Sequence, residues 1–277
     1  MASKVSANPP AERSRTGRVL HYLNCHYRRL ATGFCFLTFM TGGLFLAGLV
    51  LPLLHLLPIS GRSKHAASIG MVQSAFRVFT RLMWLVRVID SLQVSGLDNL
   101  SKDEPFLFIA NHPTLIDVVT ILGKVPRCNC IVKASLFRNP FMGGVLRRAG
   151  FLPNLAGPQL IELTKREFEA GYNLLIFPEG TRSPVDGLHS FNRGAAQIAL
   201  RTGVRVLPIH LTCVPLALWK GQSWYDVPER AVDFSLNFLP PMDFPVEIDA
   251  IPDMPLKVRA LNRHFEAFFK KRLEQGR

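Results

Sequence analysis

The stretch Phe106-Leu107-Phe108-Ile109-Ala110, followed directly by Asn111-His112-Pro113-Thr114-Leu115-Ile116-Asp117, decides the fold. Five apolar residues in a row, rich in aromatic and branched side chains, predict a strand that is buried on both faces. Polar residues follow it at once, and the active sites of open α/β sheets lie at the carboxyl ends of such strands. The stretch therefore predicts a buried strand that delivers His112 and Asp117 to a functional site.

A second stretch of the same kind lies later in the chain. Asn173-Leu174-Leu175-Ile176 predicts another buried strand, and Phe177-Pro178-Glu179-Gly180-Thr181-Arg182-Ser183 follows it. This second motif places a carboxylate, a flexible glycine, hydroxyls and an arginine in one tight turn. Two polar motifs, each at the end of a strand, predict one shared site.

The rest of the chain alternates strand-like and helix-like stretches and contains no internal repeat. This alternation predicts an α/β fold, with a mixed central sheet covered by helices and an N-terminal membrane-associated helical segment. Further strands are predicted over residues 130–133, 204–209 and 232–239, the last of them at an edge of the sheet. Helices are predicted from the first motif to about residue 123 and over residues 159–170, 194–202 and 256–273.

The N-terminal third carries both the positive charge of the chain and its most apolar stretch. The net charge is +13, with ten Lys and Arg and no Asp or Glu over residues 13–89, whereas residues 90–277 carry only +3. Residues 30–51 would form an apolar helix of about 33 Å, long enough to cross a hydrocarbon core, and Pro52 and Pro58 are expected to end it. The pattern predicts attachment to an anionic lipid bilayer and excludes nucleic acid, because no basic-aromatic recognition motif is present.

A second helix is predicted over residues 66–89, with Arg77 and Arg81 on a basic stripe. Such a helix suits either a membrane interface or the surface of the α/β domain. The preceding apolar segment either crosses the bilayer or returns to the same side, and basic residues on both flanks favour a returning hairpin. These boundaries define a polar, disordered basic tail over 1–29, a membrane-embedded or interfacial helical segment over 30–89 and an α/β domain over 90–277.

His112 and Asp117 are the pair that general-base chemistry requires. Histidine has an unperturbed pKa of about 6.5, and a carboxylate on its other ring nitrogen fixes the tautomer. The pair forms only if Pro113 starts a turn that brings residue 117 back to residue 112. Alone, the two residues are better interpreted as a strand-end histidine and a helix-start carboxylate, but the presence of the second motif favours catalysis.

Together the two motifs resemble those of the lysophosphatidic acid acyltransferase family, the membrane glycerolipid acyltransferases. The likeness covers about residues 85–240, and Phe177–Ser183 is the more specific motif. It implies transfer of a fatty acyl group from acyl-CoA or acyl carrier protein to a lysophospholipid hydroxyl, by default on lysophosphatidic acid to give phosphatidic acid. It implies a membrane enzyme whose active site faces the cytoplasm, with neither a cofactor nor a metal.

The resemblance assigns the catalytic role to His112 and Asp117 and acceptor binding to Glu179, Gly180 and Arg182. The planar guanidinium of arginine suits a phosphate group. The remaining candidates are Asn111, Thr181 and Ser183 at the acceptor, Pro208 on the acyl-donor side, and Lys133 as an anion contact.

One element departs from the family pattern. The family usually places a phosphate-binding arginine after a glycine and hydrophobic residues, and here Gly150-Phe151-Leu152-Pro153-Asn154 ends in asparagine. Arg147 and Arg148 lie just before it and offer a substitute from another direction. Losing one charge-assisted contact, worth roughly 1.5–3 kcal/mol, leaves open another lyso-lipid, an amino-acid-containing lipid or a specialised acyl conjugate as the acceptor.

Two other classes of function compete with acyl transfer. A His–Asp pair can activate water for hydrolysis of a thioester or ester, although the chain has no Gly-x-Ser-x-Gly elbow. A non-catalytic lipid-binding protein on the same fold is the second, and the intact His112 and Asp117 argue against it. The five cysteines include no Cys-x-x-Cys pair and predict buried thiols in a reducing setting, without a disulfide framework or a zinc site.

Overall fold

The computed structural model describes residues 15–101, 104–155 and 157–275, and within them seven strands form one sheet. The strands are β1 (Ile89–Ser95), β2 (Phe106–Ala110), β3 (Cys128–Val132), β4 (Leu152–Pro153), β5 (Asn173–Ile176), β6 (Arg205–Val214) and β7 (Val232–Phe238). Their spatial order is β1-β7-β6-β2-β5-β3-β4. The pair β6–β7 is antiparallel and the other pairs are parallel, so the predicted mixed α/β sheet is confirmed.

Strand β2 lies inside the sheet, between β6 and β5, and all five of its residues are fully buried. Because side chains alternate along a strand, Phe106, Phe108 and Ala110 pack into the core on one face and Leu107 and Ile109 into the core on the other. This explains why the segment is a continuous apolar run, as expected for a strand covered on both sides.

Helices cover both faces of the sheet. The predicted helices over 159–170, 194–202 and 256–273 are confirmed with small changes at their ends, whereas the short α5 and α8 were not predicted. The helices are α1 (Arg15–Phe45), α2 (Leu51–Leu56), α3 (Gly61–Leu85), α4 (Asp117–Leu122), α5 (Gly143–Ala149), α6 (Pro158–Glu169), α7 (Gly194–Thr202), α8 (Val246–Asp249) and α9 (Met254–Gln275).

The prediction that residues 232–239 form an edge strand is wrong. Strand β7 pairs with β6 on one side and with β1 on the other, so β1 occupies the edge. The helix predicted over residues 66–89 ends earlier, at Leu85, and the chain then becomes extended in β1 (Ile89–Ser95), a strand that was not predicted. The half-exposed pattern of β1 gave no clear strand signal, because long-range pairing with β7 and not local sequence stabilises it.

The N-terminal helix begins earlier and runs further than predicted. Residues 1–14 lie outside the described chain, but α1 starts at Arg15, so the expected disordered tail over 1–29 is helical from there on. Pro52 does not end the helix either, because a π-helical turn, Leu46–Val50, precedes it and the proline falls in the first turn of α2. At that position the missing N–H costs no helical hydrogen bond.

Helix α3 runs back along α1. The chain turns over residues 57–60, and the hydroxyl of Ser60 caps α3 by accepting from the backbone N–H of Ser63. Phe39 of α1 packs against Phe79 of α3, with 5.4 Å between their ring centroids. Within the described residues, one helical stretch, Val19–Leu56, is long and apolar enough to cross a membrane; its most apolar 18-residue window has a mean hydropathy of 2.1, and 11% of that window is buried. A helical hairpin with an apolar, largely uncovered first arm therefore adjoins the α/β domain.

Candidate active site

The carboxyl ends of β2, β5 and β3 lie at one edge of the sheet, because these strands are parallel. Strand β5 is the direct neighbour of β2, with Ile109 paired to Ile176, so the two polar motifs begin side by side. The backbone N–H of Ser183 donates to the carbonyl of His112 at 2.7 Å. The predicted meeting of the two motifs is therefore confirmed.

His112 and Asp117 form a direct hydrogen-bonded pair, with 2.6 Å between Nδ1 and Oδ2. The turn that begins at Pro113 returns the chain, so that Asp117, the first residue of α4, faces the histidine. Asp117 is fully buried, and the side chain of His112 keeps 16% of its surface exposed. Since Nδ1 is bonded to the carboxylate, Nε2 is the ring nitrogen that can take a proton from a substrate.

Thr114 holds the carboxylate of Asp117 from the other side, and sequence reasoning missed it. Its hydroxyl donates to Oδ1 at 2.5 Å and its backbone N–H donates to Oδ2 at 2.9 Å. Three hydrogen bonds thus fix a carboxylate that has no exposed surface. The signal available in the sequence was a hydroxyl residue three positions before a helix-start aspartate, a common turn arrangement.

Phe177 stacks on the imidazole of His112. The centroids of the Phe177 and His112 rings are 4.1 Å apart, and their planes differ by 25°. Strand β5 ends at Ile176, and Phe177 begins the turn that follows it. The aromatic face restricts rotation of the imidazole, so the histidine is positioned by Asp117 at one edge and by Phe177 on one face.

Glu179 joins the two motifs from inside the protein. Its Oε1 accepts hydrogen bonds from the hydroxyl of Ser183 at 2.6 Å and from the backbone N–H of His112 at 3.3 Å, and its Oε2 accepts from the backbone N–H of His189 at 2.9 Å. Burial raises the pKa of Glu179, and these three hydrogen bonds oppose that rise. The structure thus engages Glu179 and Ser183, both predicted as substrate contacts, in holding the turn.

Arg182 points toward a loop that the sequence did not connect with the site. Its Nη1 donates to the carbonyls of Leu218 at 2.7 Å and Trp219 at 3.1 Å. The carbonyl of Leu218 also accepts from the backbone N–H of Leu115, within the first motif. Burial lowers the pKa of Arg182, whereas the charge of Asp117 raises it, so the guanidinium lies within electrostatic reach of Asp117.

Gly180 permits the tight turn of the second motif. Its φ is 67°, in the left-handed region that favours glycine, and an added Cβ would lie 2.8 Å from the side-chain nitrogen of Asn192. That nitrogen donates to the carbonyls of Pro178 and Glu179 and so closes the turn. Gly180 is exposed and Thr181 is half-buried beside it, so this part of the motif is accessible to solvent.

Asn111 directly follows β2, and Pro208 lies within β6. The side-chain amide of Asn111 is buried and makes two hydrogen bonds with the backbone of Leu211, one as donor and one as acceptor. Pro208 is buried in β6, opposite Ile109 of β2. Asn111 therefore joins the end of β2 to β6, and its predicted contact with substrate would have to compete with these bonds.

The basic candidates lie at different places. Lys133 is exposed directly after β3, at the same edge as the catalytic pair, and the backbone N–H of Asn154 donates to the carbonyl of Val132 at 2.8 Å. Asn154 is exposed, so the position at which the resembled family has an arginine lies beside Lys133. Arg147 and Arg148 are exposed in the last turn of α5, and Arg147 donates to the carbonyl of Phe137. The structure thus brings Lys133 and position 154 together and engages Arg147 elsewhere.

Comparisons with known proteins agree with this geometry. A model of the Acyltransferase family matches residues 91–212, which include both motifs. A chloroplastic 1-acyl-sn-glycerol-3-phosphate acyltransferase of Arabidopsis thaliana is 34% identical over 126 residues, covering 43% of this chain and 35% of that protein. A 1-acyl-sn-glycerol-3-phosphate acyltransferase of Pseudomonas aeruginosa is 31% identical, over 46% of this chain and 52% of the relative. The matched regions thus span between about a third and a half of these relatives.

Two further matches bear on the acceptor and on the fold. A lyso-ornithine lipid O-acyltransferase of Pseudomonas aeruginosa is 30% identical, over 47% of this chain and 52% of that protein. The crystal structure of the 1-acyl-sn-glycerophosphate (LPA) acyltransferase PlsC from Thermotoga maritima superposes with a TM-score of 0.67 at 22% sequence identity. It covers 92% of this chain and 97% of that chain, so the two proteins share their fold.

Proposed function

We propose that this protein is a membrane-associated O-acyltransferase, because a model of the Acyltransferase family matches residues 91–212 and the chain shares its fold with a solved acyltransferase. It transfers a fatty acyl group from acyl-CoA or acyl carrier protein to the hydroxyl of a lysophospholipid. The observation that carries the proposal is the buried Asp117 bonded to Nδ1 of His112 at 2.6 Å, at the sheet edge where the second motif also lies.

The proposed reaction follows from this pair. Nε2 of His112 takes the proton of the acceptor hydroxyl as the hydroxyl oxygen bonds to the thioester carbonyl carbon. The imidazolium that forms is stabilised by Asp117, whose carboxylate is held by Thr114. When the tetrahedral intermediate collapses, the carbon–sulfur bond breaks and the thiolate of the carrier takes the proton from Nε2. The products are the ester and the free thiol.

Direct attack by the acceptor hydroxyl agrees with the side chains near His112. The hydroxyl of Ser183 is engaged with Glu179, and its backbone with His112. Cys213 is buried, and burial raises the pKa of its thiol to about 12, so it stays protonated near neutral pH. Neither side chain is placed as a nucleophile, and the scheme therefore needs no acyl-enzyme intermediate.

We propose lysophosphatidic acid as the acceptor, with Arg182 as its phosphate ligand. Nη1 of Arg182 is held by two carbonyls, which leaves Nε and Nη2 to donate to phosphate oxygens in a forked geometry. Gly180 and Thr181 form the solvent-accessible part of the motif beside it. Two relatives named for 1-acyl-sn-glycerol-3-phosphate as their substrate support this acceptor.

Asn154 and a third relative support a second acceptor class. The exposed Asn154 lies where the resembled family has an arginine, and a relative of comparable identity is a lyso-ornithine lipid O-acyltransferase. An amino-acid-containing lyso-lipid carries no phosphate monoester and would not need that arginine. Lys133, exposed next to Asn154, would then face the acceptor's carboxylate.

The membrane setting is proposed from the N-terminal helices. Only 11% of the most apolar 18-residue window within Val19–Leu56 is buried, so most of the surface of that window needs an apolar environment. Basic residues over 13–89 suit the anionic lipids of a cytoplasmic leaflet, and the active site is proposed to face the cytoplasm, where acyl-CoA and acyl carrier protein occur.

The test is an acyl-transfer assay on membranes that contain the protein, with labelled acyl-CoA or acyl-carrier-protein thioester and a panel of lyso-lipids. The panel includes lysophosphatidic acid, lysophospholipids with larger headgroups and a lyso-ornithine lipid. Product that appears with one acceptor and disappears in the His112→Ala variant supports the proposal. Release of free fatty acid without ester formation would identify a hydrolase instead, and no turnover with any thioester would contradict enzymatic activity.

A further inference from the structure

The loop between β6 and β7, residues 215–231, touches the candidate active site at its beginning. The carbonyls of Leu218 and Trp219 accept from Arg182, and that of Leu218 also accepts from the backbone N–H of Leu115. Leu218 has a φ of 53°, so the backbone there takes an uncommon conformation in order to present these carbonyls. The position of Arg182 therefore depends on where this β6–β7 loop lies.

The same loop is held at its far end by helix α1. Nε of Arg28 donates to the carbonyl of Pro228 at 2.7 Å, and the side-chain amide of Asn24 donates to the carbonyl of Glu229 at 2.8 Å. Nη1 of Arg28 also donates to the carbonyl of Arg87, directly before β1. One side chain of α1 thus binds both the loop and the connection between α3 and the sheet.

Aromatic contacts continue this attachment along α1. Trp224 of the loop packs against Phe36, with ring centroids 6.3 Å apart, and it lies so close to Gly33 that an added Cβ would approach its ring to 3.1 Å. Nε of Arg29 donates to the carbonyl of Tyr225 at 3.3 Å. Residues 24–36 of α1 therefore hold the β6–β7 loop against the helix through hydrogen bonds and ring contacts.

Arg28 is unusual among these contacts because it is buried. Only 6% of its surface is exposed, and within the described chain it has no carboxylate partner, so carbonyl oxygens alone satisfy the guanidinium. Helix α1 also approaches the turn between His112 and Asp117. A cavity of about 30 Å³ is lined by Arg28 and Thr32 of α1, by Thr114 of that turn and by Leu218 of the loop. A buried arginine without an acidic partner is costly to keep, which points to a positional role.

We propose that Arg28 is a positioning residue for acceptor binding: through the β6–β7 loop, helix α1 sets the position of Arg182. The N-terminal helix is then part of the acceptor site as well as the membrane attachment. This inference rests on the proposed function in assigning Arg182 to the acceptor. The mechanical link itself, from α1 through the loop to the second motif, rests on the contacts alone.

The kinetic test compares Arg28→Gln and Arg28→Lys with the unchanged protein and with Arg201→Gln, a control at an exposed arginine of α7. Arg28→Gln is expected to raise the KM for lysophosphatidic acid about tenfold with little change in the KM for acyl donor, as expected for loss of charge-assisted hydrogen bonds. Arg28→Lys keeps the charge but cannot donate to two carbonyls from separate guanidinium nitrogens. Its KM for lysophosphatidic acid should therefore lie between those of the unchanged protein and Arg28→Gln. Equal changes in both KM values would overturn the proposal.

A double-mutant cycle with Arg182→Ala shows whether the two arginines act together. If Arg28 acts through Arg182, adding Arg28→Gln to Arg182→Ala should raise the acceptor KM further by less than about twofold, because coupled positions are not additive. Additive effects would mean that Arg28 affects catalysis by another route, and the proposal would fail.

Hydrogen exchange tests the link without any assay of activity. In Arg28→Gln, amides of residues 215–231 and the amide of Leu115 should exchange faster, while those of β5 and α7 stay unchanged. Asn24→Ala removes one exposed hydrogen bond and should also speed exchange in the loop, but by less. This variant tests the link if Arg28→Gln does not fold. Faster exchange in a protein that acylates no lyso-lipid would keep the link and reject the proposed function; unchanged exchange would reject the link.

Discussion

The buried carboxylate of Glu179 accepts a hydrogen bond from the backbone N–H of His112, with 3.3 Å between the two atoms. The second motif thus supports the backbone that carries the histidine of the first, and the carbonyl of His112 is held in turn by the backbone N–H of Ser183. Glu179, which the sequence predicts as a substrate contact, thus also fixes the relative position of the two motifs.

The catalytic pair gives the first prediction. His112→Ala should lower acyl transfer by roughly 10²–10⁴-fold, because it removes the base that takes the hydroxyl proton, while the protein stays folded and membrane-bound. Asp117→Asn should cost as much or less, through loss of imidazole orientation. Turnover of the purified variants and their melting temperatures are the measurements. Near wild-type turnover in His112→Ala would refute the mechanism.

Thr114 gives the second prediction. Thr114→Val keeps the shape of the side chain but removes the hydroxyl that donates to Oδ1 of Asp117 at 2.5 Å, leaving a buried carboxylate with one donor fewer. We expect kcat to fall about tenfold with the KM values little changed, since the pair is less well oriented and the binding residues are untouched. A steady-state comparison with Thr120→Val, whose hydroxyl bonds only to the backbone carbonyl of Asp117, provides the control. Equal losses in both variants would argue against a special role of Thr114.

Position 154 gives the third prediction. Asn154→Arg should improve the use of lysophosphatidic acid relative to acceptors without a phosphate monoester, because Asn154 is exposed beside Lys133 at the edge of the site. One regained charge-assisted contact corresponds to roughly a ten- to hundredfold change in preference. The ratio of kcat/KM for the two acceptor classes measures it. Indifference to the substitution, in an enzyme that already uses lysophosphatidic acid well, would mean that another cation such as Lys133 binds the phosphate.

Membrane attachment gives the fourth prediction. The protein should remain in the membrane fraction after a high-salt wash and should need detergent for release, because salt screens charge contacts and does not weaken apolar burial. Fractionation followed by immunoblotting is the measurement, with a peripheral, charge-bound protein as the control. Release by salt alone would show that the stretch Val19–Leu56 does not embed in lipid.

His210 gives the fifth prediction. It is 8% exposed in β6 and its Nε2 has no hydrogen-bond partner, and burial, together with the nearby Arg272, lowers its pKa. The unfolded chain then takes up the proton first, so the free energy of unfolding should fall as the pH drops below the ordinary histidine value of about 6.5. His210→Gln should lose less stability than the unchanged protein between about pH 7.5 and pH 5.5. If the melting temperatures of the two proteins fall by the same amount between about pH 7.5 and pH 5.5, His210 is not the source of the pH dependence.

Much of the fold could be predicted because its signals are local. The apolar run of β2, the tight turn at Gly180 and the alternation of strands and helices all depend on short segments, and they are confirmed. Strand β1 was missed because its place comes from pairing with β7, far away in the chain. For the same reason β7 was wrongly placed at the edge.

The site divides in the same way. Motif chemistry identified His112 and Asp117 as a pair, and the structure shows them bonded. The hydrogen bond from Thr114 to the carboxylate of Asp117 and the stacking of Phe177 on the imidazole of His112 involve common residue types. These residues form no distinctive sequence pattern that would predict the contacts. Whether a side chain touches a catalytic group is decided by the turn it stands in, and a single sequence does not specify that.

By itself the sequence determined that two buried strands each end in a polar motif, because apolar runs and turn residues act over a few positions. Only the tertiary structure decided that Glu179 faces inward and that Arg182 rests on Leu218 and Trp219. It also decided that the β6–β7 loop is seated on α1 through Arg28. These contacts join segments remote in the chain, and their geometry follows from how a whole sheet and its helices pack, which no local pattern encodes.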